Sequence, residues 1–358
     1  MNRRRPDTSA AHRDFPWLDA DAPDGVARFL AQRHWLAADE TVTAVAPAGE
    51  GNMNLTLRVT TDRGSYVLKQ ARPWVEKYPF IEAPWDRAIA ERRFYEAAHR
   101  IPALAPRLPG LLAYDDAARV LLLTDLGEGG DFTDTYAGTS FDVDALDVLG
   151  GFAAALHTAE PATDALPPNR GMRTLNHTHI YHLPTRPDEV AGMGLDFDAI
   201  EPGLASAARR LADDSDAIAA IARTGERYLA DGPAPVHGDF FPGSFIRTGG
   251  GPVVIDGEFS HLGDGEFDVG NLLAHLALGR QPTGAAERFL AAYHNAGGPE
   301  PDTARLASYS ACEVIRRLIG VAQLPLAPTT DGWRIALLGR ARDALLNADY
   351  RLLWDTTP

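Results

Sequence analysis

Apolar and polar residues alternate along Leu55-Thr56-Leu57-Arg58-Val59, pause at Asp62-Arg63-Gly64 and resume in Ser65-Tyr66-Val67-Leu68-Lys69. Alternation sends successive side chains to opposite faces, so the pattern predicts two antiparallel strands joined by a tight turn. The glycine-containing stretch Gly49-Glu50-Gly51-Asn52-Met53-Asn54 precedes the first of them. Further upstream, Gly25 to Trp35 has the spacing of an amphipathic helix and Val42 to Pro47 that of a strand, while residues 1–20 read as a disordered lead. Asp86 to Tyr95 is helical, with Ile89, Phe94 and Tyr95 facing inward. Between Trp74 and Trp85 lies an aromatic loop broken by Pro79, read either as a lid or as packing. Arg119 to Leu123 is an apolar strand that gives way to a linker at Thr124-Asp125-Leu126-Gly127.

Beyond the linker the period changes. Val143, Leu146, Leu149, Phe152, Ala153 and Leu156 lie at helical core spacing within Asp142 to Thr158, Asp196 to Leu229 is alanine-rich and helical, and residues 265–350 are mainly helical. Val253-Val254-Ile255-Asp256-Gly257-Glu258 reads as an apolar strand with an acidic end. Strands followed by helices predict an α+β fold, with a strand-rich part over 21–125 and a helical part over 126–358. A chain of 358 residues with 45% hydrophobic content can bury a core of that size without a further domain.

The chemistry-bearing residues concentrate in the second half. Val236-His237-Gly238-Asp239 places a lone carboxylate a short loop ahead of Asp256 and Glu258. Positions i and i+2 of a strand share a face, so Asp256 and Glu258 can address one metal if the strand persists through Gly257. Phosphoryl transfer needs little covalent help: one residue orients and deprotonates the acceptor hydroxyl, and acidic groups hold magnesium on the phosphates. Asp239 suits the first role, Asp256 and Glu258 the second. Gly49, Gly51 and Asn52 can bring backbone close to phosphate oxygens, and Lys69 supplies a point charge that Glu91 could hold. Asp125 and Leu126 then stand where backbone groups would bond an adenine edge. His237 is more simply a residue that shapes its loop than a base, and Asp268 a buried carboxylate bonded to that loop. His177 and His179 fit either an acceptor pocket or ordinary loop hydrogen bonding.

This order of glycine loop, lysine, helical glutamate, linker, His-Gly-Asp and acidic pair is similar to the aminoglycoside phosphotransferase and choline kinase superfamily, and within it resembles the methylthioribose kinases. Their glycine loop is echoed by Gly49 to Leu55, their lysine strand by Lys69-Gln70-Ala71, their Asp-x-Glu metal signature by Asp256-Gly257-Glu258, and their twin-arginine segment by Arg316-Arg317. The resemblance implies a protein-kinase-like two-lobed fold, ATP and Mg2+ as cofactors, and a sugar-like hydroxyl acceptor contacted by Arg316 and Arg317. From helical pattern alone those two arginines read as a solvated face. Residues 127–235 depart from that family, which leaves the acceptor open, and an antibiotic phosphotransferase stands as the alternative. Ser244, where most relatives carry a metal-binding asparagine, also raises a catalytically silent nucleotide-binding module, against which Glu258 argues.

Composition narrows the partners. A formal net charge of −15 argues against a nucleic-acid surface, which needs clustered lysine and arginine. Arg3-Arg4-Arg5 with Pro6 reads as a tail, and no leader is expected ahead of the first domain. No apolar stretch approaches the roughly 20 residues that cross a bilayer. Cys312 is the sole cysteine, so neither an intrachain disulfide nor a thiolate zinc cluster can form, and a reducing cytoplasm is the expected setting. Nothing in the residues decides for or against a homodimer.

Overall fold

The computed structural model describes residues 15–49, 53–160, 166–328 and 331–354. Gly51 and Asn52 of the glycine stretch therefore lie outside the described residues. The helix α1 (Pro23–Gln32) leads into β1 (Val42–Pro47), β2 (Leu55–Thr61) and β3 (Ser65–Gln70), then the small hairpin β4 (Trp74–Val75) and β5 (Tyr78–Glu82), the helix α2 (Arg87–Ala98), and β6 (Leu111–Asp115) with β7 (Val120–Thr124). Five of these strands form one sheet in the order β1-β2-β3-β7-β6. Period two sorts its side chains onto two faces. Leu57, Val59, Leu68, Val120 and Leu122 bury against Val26, Phe29 and Leu30 of α1, whereas Leu121 and Leu123 join Phe94 and Tyr95 of α2 in the main core. Lys69 lies directly opposite Leu121, so it shares the α2 face.

The segment from Phe15 corrects the expectation of a disordered lead through residue 20. Trp17 stacks on Trp74 and Trp85 at ring distances of 5.4 and 5.9 Å, Leu18 is buried, and its N–H donates to Gln70 Oε1 at 3.0 Å. Indole stacking of this kind supplies large apolar burial that a composition-based reading of the lead misses. The stretch between those tryptophans is accordingly a hairpin that packs the start of the chain and not an open loop.

The larger lobe begins with α3 (Val143–His157), capped by Asp142, whose carboxylate accepts from Asp144 N at 2.9 Å. Val143, expected in the core, is 54% exposed because it occupies the first turn. α4 (Arg170–His177), α5 (Pro187–Gly192), α6 (Phe197–Ile200), α7 (Leu204–Ala212) and α8 (Ser215–Leu229) follow. Two short antiparallel pairs then carry the site loops. β8 (Ala234–Val236) pairs with β11 (His261–Gly263), and β9 (Phe245–Thr248) pairs with β10 (Gly251–Val254). The loops 237–244 and 255–260 each run from one pair to the other and therefore lie side by side. α9 (Gly265–Leu278), α10 (Thr283–Asn295), α11 (Thr303–Ile319) and α12 (Trp333–Asn347) close the lobe. No helix among the described residues is long and apolar enough to cross a membrane.

Candidate active site

Asp268 organises the loop that bears Asp239. Wholly buried on α9, it accepts from the backbone N–H of His237 (2.6 Å) and Gly238 (2.9 Å) and lies 3.2 Å from His157 Nε2. Those bonds hold its carboxyl below the ordinary aspartate range although burial alone would raise it. His237 spends its ring on the loop: Nε2 contacts Ile255 O at 2.8 Å and Nδ1 accepts from Asp239 N at 3.3 Å. Gly238 has φ +83°, and a Cβ there would stand 2.4 Å from Phe259 O, so only glycine allows the turn. Ser244 Oγ donates to Asp239 O at 2.7 Å and closes the loop from its far end, which is the use its hydroxyl has in this fold.

The side chain of Asp239 is left half-buried on the loop between β8 and β9. Burial pushes its carboxyl up to about 7, against the pull of Arg317 and Arg316. A carboxylate poised near neutrality beside a cleft is suited to accept a proton.

Lys69 Nζ lies 2.8 Å from Glu91 Oε1 and 2.5 Å from Asp256 Oδ1. Burial opposes its charge, yet Asp256 and Glu91 hold it well above the ordinary lysine range. Tyr95, one turn beyond Glu91 on α2, reaches Glu91 Oε1 at 3.3 Å and accepts from Asp256 N at 3.2 Å. Sequence reading missed that hydroxyl, although i and i+4 spacing is a usable signal. In the linker, Asp125 pairs with Arg58 at 2.8 Å and accepts from Gly127 N at 3.0 Å, while Leu126 follows it into the connection between lobes. Gly49, at φ +75°, opens the glycine stretch, and Met53 and Asn54 are its other described residues.

The strand expected to run through Glu258 ends at Val254. Asp256 turns left-handed at φ +65°, and Gly257–Phe259 form a single 3-10 turn. The two carboxylates consequently do not share a face: the Asp256 side chain is 41% exposed, that of Glu258 4%. Glu258 Oε2 accepts from Asn54 Nδ2 at 2.8 Å and lies 3.4 Å from Arg87 Nε. Neither partner was singled out from sequence. Among the described residues no group of three or more His, Cys, Asp or Glu is gathered as a metal centre. Such a donor set fits magnesium all the same, since that ion keeps several waters and takes one or two carboxylates together with substrate phosphates.

Arg316 and Arg317 are both buried, which overturns the solvated-face expectation. α11 is packed on all sides over its last three turns, so it has no face left for solvent. Glu313 compensates the pair, lying 3.0 Å from Arg316 Nη1 and 2.6 Å from Arg317 Nε. Its carboxyl stays well below the ordinary range despite burial, under the influence of both arginines. His275 bonds Glu313 at 3.1 Å through Nε2 and Tyr136 OH at 2.5 Å through Nδ1. The Arg316 Nε is buried without a hydrogen-bond partner. His179 sits on a π-helical turn, Thr178–His182, and is pushed down to about 4 by burial and by Arg316 and Arg317. His177 lies on α4 with its ring 5.5 Å from Tyr181. Both expected acceptor arginines thus lie within electrostatic reach of Asp239 and of His179.

A family model described as the phosphotransferase enzyme family matches residues 44–309. The methylthioribose kinase of Exiguobacterium sibiricum is 26% identical over 263 residues, covering 69% of this chain and 64% of that protein. That of Cronobacter sakazakii is 26% identical over 274 residues, covering 72% and 65%. The chain thus spans slightly less than two thirds of the length of these relatives. Among solved structures, a choline/ethanolamine kinase family protein from Mesorhizobium loti has a TM-score of 0.53 at 19% identity, covering 92% of this chain and 98% of that one. Choline kinase LicA from Streptococcus pneumoniae has a TM-score of 0.51 at 14% identity, covering 91% and 99%. These likenesses give the fold, two lobes of the protein-kinase type. Because the family match runs from β1 into α11 and takes in both site loops and the Lys69 strand, the chain belongs to the phosphotransferase enzyme family.

Proposed function

We propose that the protein is an ATP-dependent small-molecule kinase that transfers the γ-phosphoryl group to a hydroxyl of a sugar-like acceptor, as the methylthioribose kinases it is similar to are named for doing with methylthioribose. The observation that carries the reading is Asp239, half-buried, raised to about 7 and near enough to Asp256, the partner of Lys69, to feel its charge. Asp239 would orient the acceptor hydroxyl and take its proton as the bond to phosphorus forms. Lys69, released from Asp256 by the nucleotide and still held by Glu91, would place the phosphates. The glycine stretch Gly49, Gly51 and Asn52 would cover them, and the backbone at Asp125 and Leu126 would meet the adenine. Asp256, the half-exposed carboxylate of its loop, would hold the magnesium that offsets charge on the phosphate oxygens. A reaction that consumes ATP would suit a cytoplasmic setting.

Arg316 and Arg317 favour a neutral polyhydroxyl acceptor over a cationic one. Two guanidinium groups share one carboxylate, Glu313, so the face they present beside Asp239 is lined by cationic donors. An aminoglycoside ammonium placed there would be repelled.

Replacing Arg316 or Arg317 in turn by Met keeps the alkyl bulk and removes the donors. For at least one of them the acceptor's KM should rise about tenfold or more, while ATP affinity measured without acceptor stays within about twofold. ADP release over a panel of methylthioribose, other pentoses and aminoglycosides is the assay. Turnover confined to aminoglycosides, or a matched loss of ATP and acceptor affinity, would overturn the assignment of this wall to a sugar.

A further inference from the structure

Arg87 is wholly buried at the start of α2, and all of its N–H donors are used. Nε donates to Asn54 Oδ1 at 2.8 Å, Nη1 to Arg72 O at 2.6 Å and Pro84 O at 2.9 Å, and Nη2 to Met53 O at 2.8 Å and Trp74 O at 3.3 Å. Every one of these acceptors is neutral. The carboxylate nearest to the guanidinium is Glu258, at 3.4 Å, and Asn54 joins the two by donating its amide to Glu258 Oε2. A buried charge of this kind requires a partner, so Glu258 is committed to the smaller lobe. The turn between Asp256 and Glu258 is also wedged on α2, since a Cβ at Gly257 would stand 2.2 Å from the Phe94 ring.

We propose that Glu258 is a positioning residue, an interlobe clasp acting through Asn54 and Arg87, and not a second magnesium ligand. Met53 and Asn54 are the last residues of the glycine stretch, and Asp256 stands two residues before Glu258. The clasp therefore fixes Met53 and Asn54, the start of α2 and the Asp256 loop relative to one another. This proposal rests on the kinase reading for the role of Asp256, but its geometric core does not.

The test uses the full chain with Glu258→Gln, Asn54→Ala, their double variant and Asp256→Asn. Glu258→Gln should weaken ATP binding measured without magnesium about tenfold, and Asn54→Ala should do the same in smaller measure. Both should leave the half-saturating magnesium concentration within about twofold, whereas Asp256→Asn should raise it more than about tenfold and spare metal-free ATP binding. Glu258→Gln behaving as Asp256→Asn does would make Glu258 a ligand and overturn the clasp. Should Glu258→Gln fail to fold, Asn54→Ala decides by the same two readings, and unchanged metal-free ATP affinity in it would overturn the proposal. Should the wild-type chain bind no ATP, the kinase reading fails separately and ligand-free melting still tests the clasp. The double variant should then lose less than the sum of the single losses, and additive losses would contradict it.

Discussion

Asp239→Asn is expected to lower phosphoryl transfer about 100- to 10,000-fold while ATP affinity stays within about threefold. The separation follows from where the contacts lie. Asparagine keeps the size of the side chain but cannot take a proton, and the loop itself is held by backbone bonds to Asp268, His237 and Ser244 that the substitution leaves alone. The pH dependence should carry the same signature. A carboxyl raised to about 7 is largely protonated below that pH, so turnover should climb through about pH 7 and level off above it. In Asp239→Asn the residual rate should lose that acid limb. Arg317 pulls the Asp239 carboxyl down, so Arg317→Met should move the limb to higher pH. Turnover near wild type in Asp239→Asn, or an acid limb that survives it, would remove Asp239 from the chemistry.

The other large effect belongs to Asp256. Asp256→Ala should weaken magnesium-dependent ATP binding by more than about tenfold and leave adenosine, which carries no phosphates, within about twofold. The carboxylate is half-exposed and pairs with Lys69 at 2.5 Å, so its loss removes the group that would hold the metal. Glu91 keeps Lys69 anchored at 2.8 Å, so the lysine stays placed for the phosphates, and adenosine, which meets neither lysine nor metal, should be spared. Because Asp256 is left-handed, alanine adds backbone strain of about 1 kcal/mol, and the Asn variant, which tolerates that conformation, controls for it. Equal losses for ATP and adenosine would point to a disturbed fold.

Local spacing made much of this architecture legible. The alternation around Leu57 and Val59, the lysine at the end of the next strand and a helical glutamate were enough to anticipate the Lys69–Glu91 pair, because strand and helix periods dictate which side chains share a face. Asp268 was likewise readable as a carboxylate serving the loop backbone. Failures arose where long-range packing overrides the local pattern. Val254 to Glu258 reads as a continuing strand, yet the left-handed Asp256 and the packing of Gly257 on Phe94 end it and send the two acids to different places. Arg316 and Arg317 read as a polar face because periodicity cannot tell solvent from a buried counter-charge, although Glu313 one turn earlier was the available clue. The order of Phe15 to Ala20 depends on Trp17 meeting Trp74 and Trp85 from far along the chain. Gly51 and Asn52 lie outside the described residues.

The central claim is that this cleft moves a phosphoryl group from ATP to a hydroxyl. The most direct test incubates the full chain with magnesium, ATP labelled at the γ-phosphorus and methylthioribose or other pentoses, and looks for label on the sugar. Label should appear in a phosphoester of the acceptor, in step with ADP, and vanish in Asp239→Asn. ATP bound without label reaching any hydroxyl acceptor, sugar or aminoglycoside, would contradict the account and leave a nucleotide-binding protein.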